Sequence, residues 1–223
     1  MSKAVTVPDA YTKFLEEYKP CYIIGIDEVG FGAIAGPVTL AAAIYEPGFA
    51  HKKIKDSKKF TTEKAREAGL SVVQSTAISL LYADIEVSEI ESIGAGPAMR
   101  KALTSLALDA LAIVPNAALV MDGLNLIKGV SCPQIALPKA DTFVTAVGAA
   151  SIAAKVCRDH HMTRLGDVYP EFEWHKNKGY PTEQHINFMK LYGVTEHHRM
   201  TIDLVKSART RAGYIEKRNC EAA

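Results

Sequence analysis

The run Cys21-Tyr22-Ile23-Ile24-Gly25-Ile26 is apolar without interruption and ends in the acidic pair Asp27-Glu28. A short continuous apolar run reads as a strand buried on both faces, the kind found in sheets covered by helices. A glycine-rich turn follows, Gly30-Phe31-Gly32-Ala33-Ile34-Ala35-Gly36, and then Pro37 to Tyr45, rich in Val, Leu, Ala and Ile, reads as a second strand. The connection is short, which makes the two strands antiparallel neighbours.

Working outward, residues 8–18 read as a short helix around Phe14 and Leu15, 62–76 as a helix, and Ser79 to Val87 as a strand. Pro97 suits the first position of a helix over Ala98 to Ile113, whose apolar stripe is Met99, Leu103, Leu106 and Leu111. Ala117 to Met121 is a short strand ending in Asp122-Gly123. Gln134 to Leu137 is another, just before Lys139-Ala140-Asp141. The most strongly helical stretch is 142–165, with its polar residues crowded into the C-terminal half. A loop containing Pro170, Lys176, Lys178, Gly179 and Pro181 precedes a helix at 182–192, and the last 20 or so residues read as helical and peripheral. The class is α/β. With no repeat, low-complexity tract or linker, one domain over 1–223 is expected: an N-terminal helix (1–19), a core (20–205) and a peripheral C-terminal helix (206–223).

Composition narrows the field. The chain has 223 residues, 48% hydrophobic and 23% charged, and 26 basic residues against 25 acidic ones leave a net charge of +1. This is an ordinary globular composition, and no global charge demands a polyanionic partner, although a local basic face can still bind one. No apolar run approaches the roughly 20 residues of a membrane span, and the first residues lack the apolar core of a secretory signal. Cys21, Cys132, Cys157 and Cys220 are scattered with no CxxC pair, which points to reduced thiols in the cytoplasm.

The chemistry lies in acids at strand ends. Asp27-Glu28, Asp122 and Asp141 each sit at or just past the end of an expected strand or turn, where α/β sheets gather functional groups. Carboxylates packed together raise one another's pKa unless cations neutralise them, and oxygen-only donors suit hard divalent ions such as Mg²⁺ or Mn²⁺. Two such ions, about 3.5–4 Å apart, can activate water and stabilise the leaving oxygen in phosphodiester hydrolysis. The plainer alternative is that these acids are caps or solvated turn residues, Asp141 being an N-cap for the helix at 142. The glycine loop does not suit a dinucleotide, since a strand rather than a helix follows it and two acids precede it. It serves either as close backbone approach to a sugar-phosphate chain or simply as a tight turn. Lys52, Lys53, Lys55, Lys58 and Lys59, and separately Lys176 and Lys178 with Tyr180, either track phosphates or are solvated loops. His160-His161 and His197-His198 lack metal-ligand spacing and read as surface or phosphate-side histidines.

Gly25-Ile26-Asp27-Glu28-Val29-Gly30-Phe31-Gly32-Ala33-Ile34-Ala35-Gly36-Pro37-Val38 resembles the opening motif of type 2 ribonuclease H, the ribonuclease HII family. Asp56-Ser57-Lys58-Lys59, Met121-Asp122-Gly123, Lys139-Ala140-Asp141, Gly148 to Asp159, His175 to Tyr180 and His198-Arg199 follow in the family's order, so the resemblance covers roughly residues 20–205. It implies a ribonuclease H-like fold, a mixed five-stranded sheet flanked by helices with a helical C-terminal extension. It also implies cleavage of RNA in RNA–DNA hybrids and 5′ to ribonucleotides embedded in DNA, with two Mg²⁺ or Mn²⁺ ions and 3′-OH and 5′-phosphate products. Asp27, Glu28, Asp122 and Asp141 fall on the family's catalytic, metal-binding acids. Gly30, Phe31 and Gly32 fall on its 2′-OH-sensing loop, Lys58 on a phosphate-side lysine, and Tyr180 on a tyrosine beside the junction sugar. Asp159 reads as structural. The expected protein is a cytoplasmic monomer acting on nucleic acid, with no membrane and no nucleotide cofactor.

One departure stands out: the family usually has arginine between the two loop glycines, where this chain has Phe31. Phenylalanine cannot pair with phosphate, so either backbone groups carry the 2′-OH discrimination or the preference for a single ribonucleotide relaxes. The sister type, ribonuclease HIII, also lacks the arginine, but it carries an extra N-terminal domain for which residues 1–19 are expected to leave no room. Two further alternatives are a hybrid-binding protein that does not cut and another two-ion nuclease of the same fold class.

Overall fold

The apolar run forms strand β1 (Tyr22–Val29) in a computed structural model of the chain, which describes residues 8–54, 60, 62–213 and 215. The other strands are β2 (Val38–Tyr45), β3 (Ser79–Ile85), β4 (Ala117–Asp122) and β5 (Gln134–Leu137), in the spatial order β3-β2-β1-β4-β5. β1 and β2 are neighbours, as their short connection requires. β1 pairs parallel with β4, from Tyr22 opposite Ala117 to Ile26 opposite Met121. β4 in turn pairs parallel with β5, from Leu119 opposite Gln134 to Asp122 opposite Leu137. The sheet is mixed and flanked by helices. These are α1 (Asp9–Tyr18), α2 (Glu63–Thr76), α3 (Val87–Ile93), α4 (Ala95–Ile113), α5 (Thr145–Val168), α6 (Trp174–Asn177), α7 (Glu183–Tyr192) and α8 (Asp203–Ala212).

The residues group into two compact units: 1–29, 40–83 and 100–156 in the first, 30–39, 84–99 and 157–223 in the second. In the first, every residue of β2 is buried, and the small side chains Ala41 and Ala43 belong to a core shared with Ile23, Ala118 and Val120. The first half of α5 is buried on all sides, with Ala146, Ala149, Ala150 and Ala153 letting it sit close to its neighbours. Gly25 brings backbone against backbone: a Cβ there would stand 2.1 Å from the backbone carbon of Ala146. Only a residue without a side chain lets β1 and α5 meet in this way. Tyr11 and Phe14 of α1 join the same core.

The second unit is built on Tyr169, Phe172 and Trp174, with Met162 and Leu165 from α5, Met189 from α7, and Val205 and Ala208 from α8. Its centre holds two histidines. The backbone N–H of Thr195 donates to Nδ1 of His198 at 3.0 Å, which places that ring's proton on Nε2. Nε2 of His198 lies 3.2 Å from Nε2 of His185, which also accepts from the Trp174 indole N–H at 3.1 Å. Nδ1 of His185 therefore carries the proton, and it donates to the Tyr180 carbonyl at 3.0 Å. Neither ring is exposed. His198 is thus a core residue and not a surface one, while His160 does lie in solvent.

Three local expectations differ from the structure. β3 stops at Ile85, and Val87, expected to end it, instead opens α3, with Val87 and Ile90 buried one helical turn apart and Gly94 closing the helix at φ +84°. α5 begins at Thr145 rather than 142, because Ala140–Thr142 is a separate 3₁₀ turn entered through Lys139 in the left-handed region. β1 extends through Asp27 and Glu28 to Val29, so the acidic pair belongs to the strand itself. No helix among the described residues is long and apolar enough to cross a membrane, and Cys21, Cys132 and Cys157 are free thiols.

Substituting Gly25→Ala forces a methyl into the backbone of α5. Overpacking of this kind costs about 1–3 kcal/mol, so urea denaturation is expected to show a clearly lowered midpoint. An unchanged midpoint would contradict the close contact.

Candidate active site

The parallel register of β1 and β4 ends at the pair Ile26 and Met121. One residue further along each strand stand Asp27 and Asp122, and adjacent strands lie about 4.8 Å apart. Asp27 is partly buried and Glu28 exposed, as alternation along a strand demands. Asp122 Oδ1 accepts from the N–H of Gly123 at 3.0 Å and from the N–H of Ala140 at 3.1 Å. That second bond ties Asp122 to the 3₁₀ turn that carries Asp141. The same turn packs on the start of α5, where a Cβ on Gly148 would stand 2.8 Å from the Asp141 carbonyl oxygen. Asp141 itself is 2% exposed and is not the residue capping α5.

Asp27 and Glu28 are perturbed by their surroundings. Burial pushes the Asp27 carboxyl up to about 7; a hydrogen bond from Ser151 opposes this, and the charges of Glu28 and Asp122 add to it. Glu28 is raised as well, first by desolvation of its inner side and then by the Asp122 charge. Acids crowded in this way favour a proton or a cation, and an all-oxygen donor set fits a hard divalent ion. Ser151 escaped notice in the sequence, although a lone hydroxyl within the apolar stretch Gly148 to Ala154 was a legible signal.

The candidate nucleic-acid residues fall elsewhere in the chain. Phe31 is half exposed, and a Cβ on Gly32 would meet nothing, so the tip of the glycine loop is open. Gly30 has φ +94° and leaves no room for a side chain, since a Cβ there would stand 2.0 Å from Nε of Arg158. The Arg158 guanidinium lies 5.4 Å from the centre of the Tyr180 ring. Lys58, with Asp56, Ser57 and Lys59, lies outside the described residues. Lys178 is not available to phosphate: its ammonium donates to Thr163 Oγ1 at 2.7 Å and to the Asp159 carbonyl at 3.3 Å. Lys176 pairs with Glu173 at 3.0 Å. Arg158 and Arg199, which the sequence offered only as members of the motifs Gly148 to Asp159 and His198-Arg199, are both buried against this loop.

A mixed sheet with acids at the ends of adjoining parallel strands is the frame of ribonuclease H-like nucleases, and solved structures agree. The ribonuclease H2 of Pyrococcus horikoshii OT3 superposes with a TM-score of 0.65 at 22% identity, covering 85% of this chain and 98% of that one. A Bst-RNase HIII structure in complex with Mn²⁺ gives 0.65 at 19% identity, covering 95% of this chain and 76% of that one. The chain belongs to the ribonuclease HII family, whose sequence model matches residues 24–206. A ribonuclease HII of Ehrlichia ruminantium (strain Welgevonden) is 38% identical over 192 residues, which cover 84% of this chain and 88% of the relative. The protein is accordingly a metal-dependent endoribonuclease of the ribonuclease H type.

The raised carboxyl of Asp27 sets a pH dependence. Between about pH 4 and pH 7 the metal-free fold holds a proton that the unfolded chain has released, so this group's contribution to stability falls as pH rises through that window. A cation held at this carboxylate would displace the proton, so Mg²⁺ would then stabilise the protein more at pH 8 than at pH 6. Asp27→Asn is expected to raise the melting temperature of the metal-free protein at pH 8 and to abolish the gain from Mg²⁺. Thermal melts with EDTA or Mg²⁺ at both pH values test this, and an unaltered Mg²⁺ gain in the variant would refute it.

Proposed function

We propose that this chain hydrolyses the RNA strand of RNA–DNA hybrids and cuts on the 5′ side of ribonucleotides embedded in duplex DNA, leaving 3′-OH and 5′-phosphate ends. Asp27, Glu28, Asp122 and Asp141 would hold two divalent ions, Mg²⁺ or Mn²⁺. When bound, such ions make water nucleophilic and stabilise the leaving oxygen. The chain's own share is to orient the donors: the strand register fixes Asp27 and Asp122 side by side, the Ala140 N–H holds one Asp122 oxygen, and Ser151 steadies Asp27. Gly30, Phe31 and Gly32 would read the 2′-OH that distinguishes RNA from DNA, with Tyr180 beside the sugar and Lys58 on a phosphate. The protein would act as a monomer in the cytoplasm, without a nucleotide cofactor. The observation that carries this reading is the electrostatic coupling of Asp27, Glu28 and Asp122, which has no use in a protein that merely binds.

An end-labelled DNA duplex with one ribonucleotide, incubated with Mg²⁺ or Mn²⁺, should yield a single product ending 5′ to that ribonucleotide. Asp122→Asn should cost more than the roughly 10–100-fold that follows loss of a group one shell further out. Retained cleavage in the variant, or cutting of an all-DNA duplex, would overturn the assignment.

Phe31 motivates a second reading, a ribonuclease HIII-like preference for longer RNA tracts. Matched duplexes with one, four and many ribonucleotides separate the two, since the first reading expects efficient cutting at the single site.

A further inference from the structure

The peptide groups that lead to Tyr180 all have partners. The Lys178 carbonyl accepts from Nη1 of Arg158 at 2.8 Å, a guanidinium that also donates to the carbonyls of Ala35 at 3.1 Å and Pro37 at 2.8 Å. Gly179 N–H donates to Asn177 Oδ1 at 2.9 Å, and the Gly179 carbonyl accepts from the N–H groups of Ile34 at 2.9 Å and Ala35 at 3.2 Å. The loop that supplies those two amides is itself held by Arg199, which donates to the carbonyls of Gly30 at 2.8 Å and Phe31 at 2.9 Å. Tyr180 N–H donates to the Asn177 carbonyl at 3.0 Å. Its own carbonyl accepts twice, from Thr182 N–H at 2.8 Å and from Nδ1 of His185 at 3.0 Å. Pro181 further restricts Tyr180 to extended backbone. The ring, in contrast, is only half-buried, with the Arg158 guanidinium 5.4 Å from its centre. A fully bonded backbone thus carries an aromatic ring that solvent can reach.

His185 is the one side chain bonded to the Tyr180 carbonyl, and its surroundings leave it a single way to act. The Trp174 indole N–H can only donate, and it reaches Nε2 of His185 at 3.1 Å. His198 sends its Nε2 proton to the same atom, across 3.2 Å, because its Nδ1 is taken by Thr195 N–H. Two donors converge on one ring nitrogen, so the other must carry the proton, and that proton meets the Tyr180 carbonyl. The indole is fixed in turn by stacking on Phe172, with ring centres 5.1 Å apart and planes 17° from parallel. An apolar side chain at position 185 would fill the same space with no polar group to desolvate. What the imidazole adds is a donor of fixed direction.

We propose that His185 is a positioning residue for substrate binding: locked in one tautomer by Trp174 and His198, it fixes the Tyr180 carbonyl and so holds the Tyr180 ring in its binding orientation before the nucleic acid arrives. This rests on the function proposed above, in which Tyr180 stands beside a sugar of the substrate. The benefit is entropic, since a ring already in place has no freedom to lose when the duplex docks. A contact of this kind is made alike in the bound and the reacting state, so its loss appears in KM and not in kcat.

Steady-state cleavage of a duplex with one ribonucleotide, in Mg²⁺, supplies the test. Two substitutions divide the imidazole between them: His185→Asn keeps an amide donor at the Nδ1 position, and His185→Gln keeps an acceptor near the Nε2 position. His185→Gln is expected to raise KM by roughly two- to tenfold, the cost of ordering one side chain on binding, with kcat unchanged. His185→Asn should retain the parent KM while melting earlier, because the donors of Trp174 and His198 lose their acceptor. In a Tyr180→Ala background the His185→Gln increment should vanish, since no ring remains to be positioned. A His185→Gln variant with the parent KM, a His185→Asn variant whose KM rises as much, or an undiminished increment beside Tyr180→Ala overturns the positioning role. A parent that does not cleave overturns the proposed function itself, and a Tyr180→Ala variant with the parent KM removes Tyr180 from it. Should neither His185 variant fold, crystal structures of the Asp122→Asn protein with and without the duplex decide. Both must show one Tyr180 ring orientation and the bond from His185, and a ring that turns on binding defeats the proposal.

Discussion

Everything at the acidic end of the sheet depends on the register between β1 and β4. The absence of a side chain at Gly25 lets α5 press its backbone against β1. The close approach orders two things at once. It buries the first half of α5 among small side chains, and it brings Ser151 to Asp27. Holding Asp27, Glu28 and Asp122 near one another is unfavourable for the metal-free fold, since each charge raises the cost of the next. The apolar core of the first unit must therefore supply the stability that offsets these crowded carboxylates.

A different solution governs the glycine loop. Its conformation is not left to glycine's freedom but is fixed by two buried guanidiniums whose donors match the carbonyls around them. Arginine suits this task because its fork of N–H groups is planar and rigid, where a lysine offers a point charge on a flexible stem. The cost of burying such charges is met locally by peptide dipoles.

Much of this was legible in the chain itself. The uninterrupted apolar run gave away β1, and the acids stood out because they close strands, a position that only the backbone direction can make meaningful. The boundary between β3 and α3 was not legible, because Val87-Ser88-Glu89-Ile90 fits an alternating strand nearly as well as one helical turn. The turn at Ala140–Thr142 escaped for a similar reason: 3₁₀ and α geometry differ by a single hydrogen-bond step, which composition does not encode. His198 was read as a surface or phosphate-side residue, and the burial of Arg158, Arg199 and Lys178 was not foreseen. Sequence assigns such residues to solvent by default, and only the folded chain shows carbonyls or a second ring waiting for them.

The string from Thr195 through His198 and His185 to Tyr180 has a consequence for acid. Each hydrogen in it has a single owner, and a proton added to either ring sets two donors face to face. Burial holds His185 down at about 4 and His198 well below the usual imidazole range, with the neighbouring rings adding to the effect on His198. The unfolded chain takes up those protons from about pH 6.5 downward, so the second unit loses stability as pH falls from there toward 4. The crowded carboxylates of the first unit respond in the opposite sense, gaining when protonated. The metal-free molecule is drawn in two directions by the same titrant, and a cation at the carboxylates would relieve only the alkaline half of that conflict.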